Sequence, residues 1–372
     1  MKVVINALQY KKNSSGIGIL LRDLFGPFTE VTKRHCQIIL SYDSPDFSAS
    51  PAAEVICVPW AYGQHLHRMF FQIFQLGRKY CKGTVLLTTD SKVPFFLPRS
   101  CVLVPLVTDL AVYRLRETYQ LSRVLWWRLQ YRYVYRRADL FLAISEFTKQ
   151  EMTEILHVPP EKIEVVPCAC SSEMRPATDD VVLANLREKY YLSERFILFV
   201  GNFNPRKNLE RLIRAFDRAK ENGIPHRLVI AGEQGWKFNR DKALQGIKHS
   251  KDICFIGYVP DEDIPALYSA ADLFAFPTLY EGFGIPALEA QACGTPVLTS
   301  NSSAMPEVCG EAAVYVDPYN IDDISKGILR IIQDTTLAEN LSKKGLKNVQ
   351  RFSWKKSAIR LNGIIEDTAR FK

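Results

Sequence analysis

Apolar positions along this chain alternate between two rhythms. Short dense runs rich in β-branched residues begin with Val3-Val4-Ile5 and recur at 36–40, 55–58, 84–87, 101–107, 140–144 and 163–166. Between several of them the apolar spacing lengthens to the period of an amphipathic helix, at 64–81, 117–137 and 146–156. A further helix is expected through Ile19, Leu20, Leu21, Leu24 and Phe25, after a Gly/Ser-rich turn at 13–18. The rhythm pauses over 166–180, which holds Pro167, Ser171, Ser172 and Pro176 and reads as a linker. It then restarts, with strands expected at 195–200, 227–231, 253–256, 273–275, 295–298 and 313–316, a helix at 208–220 and a mostly helical tail from Asp322. Alternating strands and helices predict parallel sheets covered on both faces. The two stretches predict two doubly wound α/β domains, 1–170 and 171–350, facing across a cleft, with ligands at the carboxyl ends of the strands.

Composition sharpens this picture by exclusion. At 372 residues, 47% hydrophobic and 24% charged, the chain has ample apolar material for two cores and is not a disordered protein. Its longest apolar runs, such as 101–107 and 138–144, fall far short of the roughly 20 residues of a membrane span. Asn6 and Gln9 interrupt the N-terminal run, and no small-residue cleavage site follows, so a signal peptide is not expected. The nine cysteines are scattered, with no C-x-x-C pair, which reads as free thiols in a reducing cytoplasm and offers no zinc site. His65 and His67 form an H-x-H without a third ligand nearby, so no metal is expected there.

Charge is uneven. Residues 1–178 carry 22 Lys/Arg against 15 Asp/Glu, and residues 179–372 carry 26 against 25, which together make the net +8. Much of the first-half surplus lies in 114–137, where seven arginines face only Glu117. Arg128, Arg132 and Arg136 recur every fourth residue on one helix face, interleaved with Trp126, Trp127, Tyr131 and Tyr135. One reading is an interfacial contact with the anionic inner face of a membrane. The other is a solvated arginine stripe whose aromatic side lies in the core. A nucleic-acid partner is not expected, because no RNA or DNA motif accompanies the basic excess.

Three segments carry candidate chemistry. The first is Tyr280-Glu281-Gly282-Phe283-Gly284-Ile285-Pro286-Ala287-Leu288-Glu289, directly after the strand at 273–275. Its glycines permit a tight turn, Pro286 suits a first helical turn, and the free amides at that helix start suit an anion such as a diphosphate. The bland alternative is a tight strand-to-helix connection with surface glutamates. The second is Gly201-Asn202-Phe203-Asn204-Pro205-Arg206-Lys207-Asn208, where a planar fork and a point charge suit phosphate oxygens. Cations are unfavourable at a helix start, which itself hints at an anionic ligand. The third is Ser15-Gly16-Ile17-Gly18, half of a G-x-G-x-x-G with Leu21 in the third glycine position, so a nicotinamide fingerprint is weak.

With Ala292-Cys293-Gly294-Thr295-Pro296-Val297, Met305-Pro306-Glu307-Val308 and Ser145-Glu146-Phe147, these segments resemble the family-4 retaining glycosyltransferases of the GT-B fold. The resemblance covers nearly the whole chain and is most specific over 200–317. It implies two Rossmann-like domains with a nucleotide-sugar between them and a last helix, 351–372, returning to the first domain. It assigns Arg206 and Lys207, with Gly16 and Gly18, to the donor diphosphate, and Glu289 to the ribose hydroxyls. Glu281 would sit beside the transferred sugar, with Phe283, Gly284 and Ile285 offering amides, and Tyr258 and Val259 would run along the nucleobase. No cofactor or metal is implied, and no D-x-D motif lies in a suitable loop.

One departure stands out. Many members of the family carry a histidine before an Asp-Leu pair, and here Val107-Thr108-Asp109-Leu110 puts Thr108 in its place. A threonine is no general base near neutral pH. In a front-face retaining reaction the departing phosphate oxygen takes the acceptor proton, and Asp109 would orient hydroxyls. The implied function is metal-independent transfer of a hexose, with mannose from GDP-mannose as the first choice, to a hydroxyl of a surface glycan or lipid-linked oligosaccharide. The alternatives are a nucleotide-sugar epimerase of the same fold, or a degenerate member serving as a binding partner in glycan assembly.

Overall fold

The computed structural model describes residues 1–11, 16–44, 47–61, 63–89, 93–235 and 237–368. Ser15 therefore lies outside the described residues, as does the His65 side chain. The chain divides into two units: Met1–Cys168 with the tail from Phe352, and Ala169–Arg351. All nine cysteines are free thiols.

Among the described residues the first unit holds a seven-stranded, all-parallel sheet. Its strands are β1 (Lys2–Asn6), β2 (Cys36–Ser41), β3 (Glu54–Val58), β4 (Thr84–Thr89), β5 (Val102–Val107), β6 (Phe141–Ala143) and β7 (Ile163–Val165), in the order β3-β2-β1-β4-β5-β6-β7. β2, β4 and β5 are buried along their whole length. Strands covered on both faces lose the alternation of apolar and polar residues, which explains the dense apolar runs of the sequence. Pro105 sits in β5 although a proline cannot donate to a ladder. The neighbouring β6 pairs only from Leu106 onward, and before that the Asp139 carboxylate accepts from the Leu103 amide at 2.8 Å. β5 ends at Val107, directly before Thr108 and Asp109. The tail helix Trp354–Thr368 packs on the helix Gly26–Val31, and Ser357 Oγ donates to the Pro167 carbonyl at 2.7 Å.

The second unit holds β8 (Phe196–Val200), β9 (Arg227–Ala231), β10 (Ile253–Gly257), β11 (Leu273–Phe276), β12 (Val297–Ser300) and β13 (Val314–Val316), in the order β10-β9-β8-β11-β12-β13. Both sheets thus reverse direction once, β1 lying between β2 and β4 and β8 between β9 and β11. In open α/β sheets the crevice for ligands lies outside the carboxyl ends of the strands at such a switch point. In the second unit the residues after β8 and β11 flank it, and these are the Arg206-Lys207 and Glu281 segments. Strand exits approach closely here. A Cβ on Gly232, with φ at 134°, would fall 2.2 Å from the Gly201 carbonyl oxygen.

Several helices differ from their expected form. The 64–81 stretch is His65–Phe70, a π turn at Phe71–Gln75 and Leu76–Tyr80. The expected helix at 117–137 is a 3-10 turn at Arg116–Thr118 followed, after a break, by Leu121–Arg137. A helix over Asp180–Tyr190 has no counterpart in the periodicity, because it buries only Leu186 fully. Its signal was the capping residue Asp179, whose carboxylate accepts from the Val181 amide at 2.8 Å.

Candidate active site

The chain leaves β8 through Gly201 and makes a 3-10 turn at Pro205–Lys207 before the helix Leu209–Lys220 begins. Arg206 and Lys207 therefore precede the helix on a turn of their own. Asn208 reverses the chain with φ at 60°, a left-handed conformation that Asn tolerates better than most residues. Its side-chain amide donates to the Pro277 carbonyl at 2.8 Å and to the Pro318 carbonyl at 2.6 Å. One side chain thus ties the exit of β8 to the exits of β11 and β13.

The tie brings Lys207 against Glu281. Lys207 Nζ donates to Glu281 Oε1 at 2.8 Å, with the two residues 8% and 6% exposed. The Lys207 ammonium also lies 4.6 Å from the centre of the Phe276 ring, on the last residue of β11. Thr278 Oγ1 donates to the same Glu281 oxygen at 3.0 Å. The Glu281 backbone is held as well, its amide donating to Ser303 Oγ at 3.1 Å and its carbonyl accepting from the Ala304 amide at 3.2 Å. Burial alone would raise the Glu281 carboxyl. The charges of Lys207 and Arg206, with the hydrogen bonds from Lys207 and Thr278, reverse that and hold it below its ordinary value of 4.5. Glu281 is therefore an anion at neutral pH. The unfavourable cation of the sequence has an internal counter-charge, so its placement does not by itself require an external anion.

Gly284 follows with φ at 98° and caps the helix Ile285–Ala292. The left-handed φ requires glycine at this turn, and a Cβ there would fall 2.6 Å from Met305 Sδ, so that the thioether end would have to shift. Phe283 is buried at 2% exposure and Ile285 is half-buried, so this segment offers main chain more than side chain. One turn into the helix, Glu289 is half-buried and its Oε2 accepts from the Tyr268 hydroxyl at 3.1 Å. Tyr268 is fully buried, and burial together with the Glu289 charge pushes its phenol well above its ordinary range. The phenol stays a donor and fixes the orientation of the carboxylate.

The remaining expected residues lie elsewhere. Tyr258 and Val259 follow the edge strand β10. Tyr258 is 48% exposed, whereas Val259 is buried in the second core and can offer a ligand only its main chain. Gly16, Gly18, Thr108 and Asp109 belong to the first unit. Gly16 has φ at 67° and starts the short helix Ile17–Leu20, and Gly18 is buried within it. Asp109 Oδ1 accepts from the Ala111 amide at 3.0 Å, and Thr108 and Asp109 are both half-buried. Ser145 has a structural part: its hydroxyl accepts from the Thr148 amide at 3.0 Å and caps the helix Glu146–Leu156. Asp261-Glu262-Asp263 has D-x-D spacing, but Asp263 Oδ2 accepts from Lys189 and Tyr190, each at 2.6 Å.

Thr278, Ser303, Tyr268 and Asn208 had not been assigned roles from sequence. Asn208 closes the 201–208 segment and Tyr268 lies far from it. For Ser303, Tyr268 and Asn208 the signal is a three-dimensional one, since each hydrogen-bonds a residue distant along the chain, whereas Thr278 bonds Glu281 three residues on.

Two family models match the chain: Glycosyltransferase Family 4 over residues 105–173, and glycosyl transferases group 1 over residues 185–348. The O-antigen chain mannosyltransferase B of Escherichia coli is 35% identical over 251 residues, which is 66% of this chain and 65% of that protein's own length. Among solved structures, sucrose-phosphate synthase from Thermosynechococcus elongatus superposes with a TM-score of 0.79 at 20% identity, covering 100% of both chains. Anabaena HepE, solved in complex with UDP-glucose, gives 0.77 at 17% identity, covering 99% of this chain and 100% of that one. These structures share the fold, two parallel-sheet Rossmann-like units of the GT-B class. The two matched segments together exceed half of the sequence, and the chain belongs to the family-4 glycosyltransferases, those of glycosyl transferases group 1.

Proposed function

We propose that the protein is a retaining, metal-independent hexosyltransferase that moves mannose from GDP-mannose to a hydroxyl of a surface glycan or lipid-linked oligosaccharide. The observation that carries this reading is the buried Lys207–Glu281 pair at the switch point of the second sheet, with Arg206 beside it. An ammonium and a guanidinium suit a diphosphate, and a held carboxylate suits sugar hydroxyls. Mannose is supported by the name of the E. coli relative, and a nucleotide-sugar donor by the HepE complex with UDP-glucose.

In this reading Arg206 and Lys207 neutralise the donor diphosphate and the amides of Phe283, Gly284 and Ile285 bind sugar or phosphate oxygens. Glu289 accepts from the ribose hydroxyls, and Tyr258 and the Val259 main chain border the base. The bond from sugar C1 to the phosphate oxygen breaks and its electron pair leaves with the diphosphate. The acceptor oxygen bonds C1 on the same face, and its proton passes to the departing phosphate oxygen. No residue at position 108 is asked to act as base. Asp109, whose carboxylate accepts from the Ala111 amide, orients hydroxyls.

A thermal-shift screen of GDP-, UDP- and dTDP-sugars tests the donor, since a ligand that binds the native state raises its melting point by mass action. Stabilisation by GDP-mannose is the expected result, and stabilisation by UDP- or dTDP-sugars alone would replace mannose as the donor sugar. Transfer to acceptor without free sugar isomers separates this reading from an epimerase, and any transfer by the purified protein excludes the degenerate alternative.

A further inference from the structure

Among the described residues of the first unit, a set of large apolar side chains is exposed. On the helix His65–Phe70 and the π turn after it, Leu66 is 76% exposed, Phe70 53% and Phe74 40%, and Phe96 from the following loop is 45% exposed. Phe70 lies 5.1 Å from Phe74, ring centre to ring centre, and Phe74 lies 5.8 Å from Phe96. The neighbouring Phe95 contacts Trp126 at 6.5 Å and accepts at its carbonyl from the Tyr133 hydroxyl, which joins the helix Leu121–Arg137 to the same surface.

That helix is not built as a solvated arginine stripe with its apolar residues inside. Its core face is Val124, Tyr131 and Val134, all buried. Its outer face carries Leu121, Leu125 and Leu129 at 73%, 57% and 56% exposure, with Trp126 at 39%. At 3.6 residues per turn, Arg128, Arg132 and Arg136 fall within the same roughly one-third of the circumference as those leucines, and all three are exposed. Single exposed leucines are ordinary, but a row of three beside an aromatic cluster is a recognition surface. The segments 63–80, 93–100 and 121–137 contain no Asp or Glu at all.

We propose that this face docks on an anionic lipid bilayer. The leucines and phenylalanines enter the interfacial region, while Arg128, Arg132 and Arg136 meet lipid phosphates at the headgroup level. Charge decides among occupants. A second copy paired through this face would oppose arginine stripes with no carboxylate between them. A nucleic acid would use the arginines but gain nothing from the exposed leucines. An anionic bilayer uses both. The inference is independent of the donor site in the second unit, and it places a lipid-linked acceptor within reach of the first.

Co-sedimentation of the full chain with phosphatidylcholine vesicles, with and without phosphatidylglycerol, tests it. The wild type should pellet with the anionic vesicles and be released by salt. The Arg128→Ala/Arg132→Ala/Arg136→Ala variant should lose roughly a hundredfold in partitioning. Leu125→Ser/Leu129→Ser should lose binding in a manner that salt does not reproduce. Unchanged circular dichroism and nucleotide affinity in both variants would show that fold and donor site are intact. Wild type left in the supernatant with anionic vesicles would overturn the proposal. So would equal binding to both vesicle types unaffected by the arginine variant, or a dimer or oligonucleotide complex abolished by Leu125→Ser/Leu129→Ser while lipid binding persists.

Discussion

Lys207 and Glu281 are 74 residues apart in sequence and 2.8 Å apart in the fold, joined as a buried ion pair where the second sheet reverses direction. Taking both charges out of water is expensive, and such a pair is weak support for stability. Its place at the carboxyl ends of β8 and β11, where such sheets bind ligands, supports the donor role proposed for it, and Thr278, Ser303 and Asn208 hold it there.

Separating the two roles is straightforward. Glu281→Ala leaves Lys207 buried without its carboxylate and should cost about 3 kcal/mol of unfolding free energy. Lys207→Met/Glu281→Leu removes both charges and should recover most of that stability without recovering transfer. Urea denaturation alongside a transfer assay checks this. Recovered activity in the double variant would make the pair structural.

The pair also sets an acid limit. The folded carboxyl lies below its ordinary 4.5, so its contribution is complete above that value and is lost as pH falls through the lower folded value. The stability difference between wild type and Glu281→Gln should be constant from neutral pH to about 5 and shrink below it. A difference that grows on acidification would contradict the assignment.

Gly284→Ala should destabilise the second unit by about 2 kcal/mol, from the left-handed φ and the collision with Met305 together. Met305→Ala by itself opens a cavity in the core, but it also removes the collision, so the double variant should lose less than the sum of the two single changes. Thermal melting of the three variants reads this out. A neutral Gly284→Ala would mean that the turn can relax.

Tyr268→Phe deletes the hydroxyl that orients Glu289 while keeping the ring packed on Phe274. The loss should be roughly fivefold in affinity for a ribonucleotide diphosphate and near zero for its 2′-deoxy counterpart. An equal loss for both would mean that Glu289 does not read the ribose.

Most of the architecture was legible in the sequence because strands buried on both faces are dense apolar runs, and each expected strand has its counterpart. Asp180–Tyr190 was not, since a helix that buries one leucine leaves no periodic trace. At the site, Arg206, Lys207, Glu281 and Glu289 could be named from turn chemistry and resemblance. What bonds to them could not. The Lys207–Glu281 pair and the bracket made by Asn208 are contacts between strand exits, and the Tyr268 hydroxyl reaches Glu289 from another helix, none of which sequence spacing encodes. Likewise the arginine spacing of 114–137 showed one basic face, but only burial revealed that Leu121, Leu125 and Leu129 share it.

Calorimetric titration of GDP-mannose into wild type and Lys207→Ala tests the central claim most directly. Saturable binding to the wild type, weakened roughly tenfold to a hundredfold in the folded variant by loss of a charge-assisted contact, is the predicted result. Equal affinity in the two proteins, or no binding of any nucleotide-sugar by the wild type, would contradict it.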